Sequence, residues 1–282
     1  MKILHLKFLF QNELSELYSK SEIEELFSVF CENYLELNRV ELRINLDKDL
    51  SEIKSKQFLE AISALKTGKP FQQILGETEF YGMKFFVNEH VLIPRPETEE
   101  LLELVIETIK DLRLKVEGLK IMDIGTGSGI IPIVLKKYFP ETQVSAIDIS
   151  EDALKIAKKK SEFHKTKINF IQKDYLNERL NEVYDIIISN PPYIGIEENI
   201  EIEESVKGFE PNIALFSPTS DDLIFYRKIA KDSENHLSEN GMIFLEINQK
   251  LGRETLELFQ NFSESILLKD ISGNDRMIFA RK

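Results

Sequence analysis

The chain has 282 residues, 42% of them hydrophobic, enough for one large or two modest domains with a proper core, which excludes bulk disorder and fibrous structure. With Lys+Arg 36 against Asp+Glu 49, the formal net charge of −13 disfavours tight non-specific binding to a polyanion. The single cysteine, Cys31, excludes an intramolecular disulfide and a thiolate-built zinc site and points to a reducing compartment, and the four histidines show no metal-ligand spacing, so no metal is expected.

The opening segment, Met1 to Phe10, is apolar but short, contains lysines and lacks a small-residue cleavage site. No later run approaches the ~18 apolar residues that cross a bilayer, so a cytoplasmic protein without a membrane partner is expected. Residues 1–70 have helical apolar spacing and no strand pattern. Ser21-x-x-Glu24 reads as a capping box ahead of Leu26, Phe27 and Phe30, and the stretch from Ser51 to Leu65 places Ile53, Phe58, Ile62 and Leu65 on one helical face. A small helical domain follows from this. It carries 10 basic and 12 acidic side chains, so most of the negative charge belongs to the rest of the chain.

Residues 71–96 mix aromatics with glycine (Phe80-Tyr81-Gly82, Phe85-Phe86-Val87), which predicts a β-hairpin connector ended by Pro94-Arg95-Pro96. From residue 97 to 282 the pattern is α/β. Leu101, Leu102, Val105, Ile106 and Ile109 recur at helical spacing behind Glu97, Glu99 and Glu100 in a first turn. Strands are predicted at Ile121–Ile124, Val144–Ile147, Ile168–Ile171, Tyr184–Ile188 and Met242–Ile247, with two closing strands around Ile266–Leu268 and Met277–Ala280. Helices are predicted at Ile130–Tyr138 and Glu151–Glu162 and near Asp222–Ser233 and Thr255–Phe262. Short apolar strands alternating with amphipathic helices predict a doubly wound, mainly parallel sheet with ligands at the carboxyl ends of its strands.

Two strand ends carry chemistry. The first is Asp123-Ile-Gly125-Thr126-Gly127-Ser128-Gly129, where glycines bring bare backbone close to a ligand and a helix start offers N–H groups. The spacing departs from the dinucleotide pattern, because Ile130 stands where a third small residue is needed. Asp123 would aim a carboxylate at the ligand, which suits the ammonium of S-adenosylmethionine better than a pyrophosphate. Asp148, about 20 residues on, suits a ribose diol. Asp174 and Tyr175, after the third strand, suit an adenine amino group and its ring face. The alternative role for these residues is local: glycines that shape a turn, and aspartates that cap helices.

The second is Asn190-Pro191-Pro192-Tyr193, directly after the strand Tyr184–Ile188. The prolines fix φ and lack N–H donors, leaving directed carbonyl acceptors. The Asn190 oxygen can accept one hydrogen of a planar amide or aromatic amine, the Pro191 carbonyl the other, and the Tyr193 ring can stack on the flat group. An amide nitrogen is a poor nucleophile, so two acceptors gripping its hydrogens favour the lone-pair-available transition state, and attack on a sulfonium methyl then needs alignment more than a strong base. Asn190 also borders the cofactor side of this arrangement.

These residues resemble the HemK/PrmC-type protein-(glutamine-N5) methyltransferases. The resemblance rests on Gly76-Glu-Thr-Glu-Phe80, Leu92-Ile-Pro-Arg-Pro-Glu-Thr-Glu99, the Asp123–Gly129 loop, Ser189-Asn-Pro-Pro-Tyr193, Glu210-Pro211 with Ala214-Leu-Phe216, Glu246-Ile-Asn248 and Asp275-Arg-Met277. It implies a class I S-adenosylmethionine-dependent methyltransferase, with a Rossmann-like, mainly parallel seven-stranded sheet whose last strand is inserted antiparallel. The implied reaction is methyl transfer to the glutamine of the Gly-Gly-Gln loop of class-1 peptide chain release factors, leaving S-adenosylhomocysteine. The glycine loop and Asp148 would hold the cofactor, Asn190 to Tyr193 the glutamine amide, and residues 1–70 the release factor. Tyr175 stands where many relatives place a tryptophan. Glu97 and Thr98 keep two roles open, lining the cofactor pocket or capping a helix.

The rival reading is methylation of an exocyclic amine on a nucleic-acid base, which the same Asn-Pro-Pro-Tyr geometry serves. Charge weighs against it: Glu197, Glu198, Glu201, Glu203 and Glu204 put five carboxylates in eight residues behind the motif. This run suits a basic protein surface, so no direct nucleic-acid binding is expected, and a monomer is. A non-catalytic cofactor sensor needs no amide clamp, and a dehydrogenase fits the glycine spacing poorly.

Overall fold

The computed structural model describes residues 1–195 and 208–282. The acidic run Glu197–Glu204 lies outside them. By its contacts the chain divides into a helical unit, Met1–Thr78 together with Gly208 and Phe209, and a larger α/β unit that takes the other described residues. No helix among the described residues is long and apolar enough to cross a membrane.

The helical unit contains α1 (Ile3–Leu14), α2 (Lys20–Leu35), α3 (Arg39–Ile44), α4 (Glu52–Leu65) and α5 (Phe71–Leu75). Their buried faces share one core, in which Phe10 meets the rings of Phe27, Phe30 and Phe58 at 5.4, 6.0 and 6.3 Å. Two local expectations shift. The capping box of α2 is Ser19 with Glu22, not Ser21 with Glu24: Glu22 N donates to Ser19 Oγ and Ser19 N donates to Glu22 Oε2. Both Ser-x-x-Glu registers exist here, and the earlier one adds Lys20 and Ser21 to the helix. Ile53 is 74% exposed; in the first turn of α4 it precedes the buried stripe of Phe58, Ala61, Ile62 and Leu65.

Next comes a hairpin, β1 (Glu77–Phe80) and β2 (Met83–Phe86). Its two-residue turn holds both Tyr81 and Gly82 at positive φ, as the right-handed strand twist requires. In the α/β unit, α6 (Pro96–Asp111) starts with Pro96 at its first position and Glu97 and Glu99 in its first turn, and buries Thr98, Leu101, Leu102, Val105, Ile106 and Ile109. The chain continues through β3 (Lys120–Ile124), α7 (Ile130–Tyr138), β4 (Gln143–Asp148), α8 (Glu151–Phe163), β5 (Asn169–Gln172) and β6 (Tyr184–Ser189). It ends with α9 (Asn212–Leu215), α10 (Ile224–His236), β7 (Leu237–Glu246), α11 (Gly252–Glu257), β8 (Glu264–Lys269) and β9 (Asp275–Arg281).

The seven strands lie in the order β5-β4-β3-β6-β7-β9-β8. All pairs from β5 to β7 are parallel; β9 runs antiparallel between β7 and β8. The sheet buries one apolar layer that includes Ile121, Ile186, Ile188 and Phe244, and another that includes Met122, Ile124, Ile187 and Leu245. This near-continuous apolar run along each central strand is what burial on both faces demands.

Chain order reverses direction across the sheet between β3 and β6, the switch point at which open α/β sheets present ligand sites. Ile124 pairs with Ser189 in register, so the loop after β3 and the turn after β6 leave the sheet side by side.

Candidate active site

Four strand ends, those of β3, β4, β5 and β6, build the site. The loop after β3 has Gly125, Gly127 and Gly129 at φ of 72°, 53° and 75°, values that disfavour side chains. Gly125 N and Thr126 N both donate to Ile147 O, at 3.0 and 2.9 Å, which folds the loop over the end of β4. A Cβ on Gly127 would meet nothing within 4 Å, because it would enter the open space of the cavity. Gly129 is different: a Cβ there would lie 2.7 Å from Ala157 Cβ and 3.2 Å from Phe170 Cε1. The third glycine is a packing contact between the start of α7 and α8.

One cavity of about 800 Å³ opens over this loop. It is lined by Gly125, Thr126, Gly127 and Ser128, by Asp148 at the end of β4, by Asp174 and Tyr175 after β5, and by Asn190 and Pro192 after β6. Thr98 and the segment from Pro211 to Thr219 also contribute. The expected cofactor and substrate residues therefore meet, with four exceptions. Gly129 is spent on packing. Pro191 and Tyr193 do not line the cavity: Pro191 is buried, and the Tyr193 ring packs into the apolar layer beneath. Asp123 is 0% exposed and lies beneath the loop instead of facing a ligand.

Asp123 is unusual in its isolation. Among the described residues neither carboxylate oxygen has a hydrogen-bond partner of good geometry; burial pushes its carboxyl up to about 7, the nearby Thr126 hydroxyl opposing the rise and the Asp148 charge reinforcing it. Asp148 has a structural task in addition to the one expected. Gly127 N donates to its Oδ2 at 2.7 Å and Ser150 N to its Oδ1 at 2.8 Å, so one carboxylate holds the glycine loop and starts α8. Burial raises its carboxyl while those backbone donors act against the rise. Asp174 Oδ2 accepts from Asn177 Nδ2 at 2.8 Å. The Tyr175 ring is buried, with Lys228 Nζ 4.9 Å from its centre.

The residues present fit S-adenosylmethionine. Open space at Gly127, carboxylates at the ends of β4 and β5, a buried aromatic beside them and unpartnered Asp123 oxygens under the loop suit a purine nucleoside carrying positive charge.

The Asn190 side of the cavity is organised by residues whose roles the sequence pattern did not indicate. Asn190 Nδ2 donates to Thr98 Oγ1 at 3.1 Å, and Thr98 Oγ1 donates to Glu246 Oε2 at 2.7 Å. Tyr193 Oη donates to the other oxygen, Glu246 Oε1, at 3.2 Å. Asn248 Nδ2 donates to the Tyr193 carbonyl at 3.2 Å, and the buried Tyr226 hydroxyl donates to the Glu246 carbonyl at 3.1 Å. The Glu246-Ile-Asn248 stretch at the end of β7 thus holds Tyr193 at both ends. Burial pushes the Glu246 carboxyl up to about 7, opposed by its bond to Thr98 and by the nearby Arg276.

The proline segment before α6 is fastened to the opposite wall. Glu210 is buried and accepts from Ile93 N at 2.9 Å and from Arg95 Nη2 at 2.6 Å. Beyond it, Ile194 N donates to Leu215 O and Ser217 N to Ile194 O, at 3.1 and 2.9 Å, so the chain after Tyr193 pairs with the wall.

Comparison with known proteins supplies two family matches. The methyltransferase small domain matches residues 102–205, and the PrmC N-terminal domain matches residues 10–76. The release factor glutamine methyltransferase of Flavobacterium psychrophilum is 46% identical over 282 residues, covering 99% of this chain and 98% of its own. The protein of that name from Bacteroides thetaiotaomicron is 36% identical, over 96% of this chain and 97% of its own. That from Lactococcus lactis is 41% identical, over 87% and 90%.

Proposed function

The chain belongs to the release factor glutamine methyltransferase family, and from that premise we propose that it transfers a methyl group from S-adenosylmethionine to the side-chain amide nitrogen of the Gly-Gly-Gln glutamine in class-1 peptide chain release factors. The observation that carries the chemistry is the shared cavity: Asn190 and the bare backbone of Gly127 line one space, at adjacent strand ends.

Bound there, S-adenosylmethionine supplies a methyl carbon made electrophilic by its sulfonium. The Gly125–Ser128 backbone, Asp148, Asp174 and Tyr175 hold it, with Asn190 at its border. Gly129 serves it from beneath by shaping the loop, and Asp123, in its ionised form, by its charge. Asn190 Oδ1, at the cavity surface, accepts one hydrogen of the glutamine amide, which orients the nitrogen and localises its lone pair; the Pro191 carbonyl, set behind that surface, is the acceptor for the other only if the amide enters the turn. Tyr193 anchors the turn that presents these acceptors. No strong base is needed, because the nitrogen turns acidic on alkylation and its proton leaves afterwards.

The helical unit, expected over residues 1–70 and extending through α5 to Thr78, serves as the release-factor recognition domain, the remainder of 71–96 as connector and 97–282 as the methyltransferase domain, acting as a cytoplasmic monomer. The carboxylates at 197, 198, 201, 203 and 204 attract a basic protein surface and repel nucleic-acid phosphates.

The test is incubation of the full chain with labelled S-adenosylmethionine and purified release factor, followed by peptide mass mapping. A methyl group on the Gly-Gly-Gln glutamine is the expected result; label on another residue, or none, overturns the reading.

A further inference from the structure

The contacts of Glu246 constrain something that ordinary side-chain geometry leaves ambiguous, namely which end of the Asn190 carboxamide is oxygen and which is nitrogen. An ionised carboxylate only accepts, and Glu246 is 1% exposed with Thr98 Oγ1 at 2.7 Å from its Oε2. With Glu246 ionised, the single Thr98 hydroxyl hydrogen is spent on it. Toward Asn190, 3.1 Å away, the Thr98 oxygen has only lone pairs to offer, so Asn190 must turn its Nδ2 to it. Oδ1 is then the atom that Asn190 brings to the cavity it lines.

We propose that Glu246 is a positioning residue for amide methylation: through Thr98 it fixes the Asn190 carboxamide with its acceptor toward the substrate, and through Tyr193 it anchors the far end of the same turn. The inference rests on the reading of Asn190 as an acceptor of the substrate's amide hydrogens. A carboxamide turned the other way would set its own N–H groups against those of glutamine. That arrangement costs binding of the activated amide while filling nearly the same volume.

The second contact makes the arrangement more than a cap. Asn190 and Tyr193 are the two ends of the Asn-Pro-Pro-Tyr turn, and one carboxylate receives a hydrogen bond, direct or relayed, from each. Its backbone is fixed in turn by Tyr226. Among the described residues Arg276 on β9 and Glu97 on α6 are charges that act on it: burial raises the Glu246 carboxyl to about 7, and the Arg276 guanidinium, itself bonded to Asp270 at 3.3 Å, works against that rise toward the ionised form in which the relay operates.

The experiment compares the full-length chain with its Thr98→Val and Thr98→Ser variants. Valine keeps the volume and removes the relay; serine restores the hydroxyl. Thr98→Val is expected to lower kcat on release factor about tenfold or more, with KM and S-adenosylmethionine affinity within about twofold, and Thr98→Ser to recover most of it. A second measurement needs no substrate: hydrogen exchange of the Asn190 side-chain amide, identified by its loss in Asn190→Ala. Exchange is expected to be slow in the unaltered chain and in Thr98→Ser, and fast in Thr98→Val. Unchanged kcat in Thr98→Val, a loss that serine does not recover, or slow Asn190 exchange persisting in Thr98→Val would each overturn the relay. If the unaltered chain does not methylate release factor, the functional reading fails, and the exchange measurement alone decides the relay.

Discussion

Ser189 Oγ donates to Ile124 O at 2.7 Å, joining the last residue of β6 to the last residue of β3 just before each strand gives way to its functional turn. Both residues are fully buried, so the bond is shielded from water, and it sets the separation between the glycine loop and the Asn190 turn. Methyl transfer is sensitive to that separation because it depends on alignment more than on acid–base strength.

Asn190→Ala removes one of the two acceptors proposed for the amide and leaves the glycine loop untouched. Turnover is expected to fall by a factor equivalent to about 2–4 kcal/mol, with cofactor affinity nearly unchanged. Steady-state methylation beside calorimetric titration of the cofactor checks both halves. A variant that turns over normally would remove Asn190 from the clamp.

Gly127→Val acts on the other half. Its side chain projects into the cavity, and its backbone must keep φ at 53°, which valine adopts poorly. Cofactor affinity should be abolished. Normal affinity by calorimetry would mean that the loop is not the cradle.

Gly129→Ala separates folding from binding within the same loop. The new methyl would lie 2.7 Å from Ala157 Cβ at a φ of 75°, so α7 and α8 must move apart. Urea denaturation should report a loss of about 2–4 kcal/mol, the range of overpacking plus backbone strain. Unchanged stability would show that the helix contact is slack.

Much of this architecture was legible in the sequence because it is local. The strands from β3 to β6 and the Met242–Glu246 half of β7 are short apolar runs between turn signals, whereas the polar stretch Ser238–Gly241 hides the start of β7; α7 is delimited at Ile130 and Tyr138 by its own periodicity. What escaped was non-local or degenerate. Thr98 and Glu246 are 148 positions apart, and only the sheet order brings them into contact. Asp123 precedes the glycine loop in sequence, yet strand alternation turns its side chain under the loop, out of the cavity. Gly129 looked like its two neighbours, and only the nearness of Ala157 distinguishes it. For α2, two overlapping Ser-x-x-Glu registers compete, and only the reciprocal bonds between Ser19 and Glu22 tell them apart.

Burial of Asp123 has a measurable pH signature. Its carboxyl is raised from 3.8 to about 7 in the folded chain, so the folded state holds a proton that the unfolded chain has released across that window. The stability this proton contributes is fully present below about pH 4 and is lost as pH rises through about 7. Asn at this position keeps the shape and has no proton to lose. The stability of Asp123→Asn relative to the unaltered chain should therefore climb between pH 4 and 8, by on the order of 2–4 kcal/mol, and level off above. Urea denaturation of both proteins across that range measures the difference directly, and cancels carboxylates such as Asp270 whose values fall on folding. A difference that stays flat from pH 4 to 8 would mean that Asp123 is solvated or paired in the folded chain, contrary to the isolation of both its oxygens.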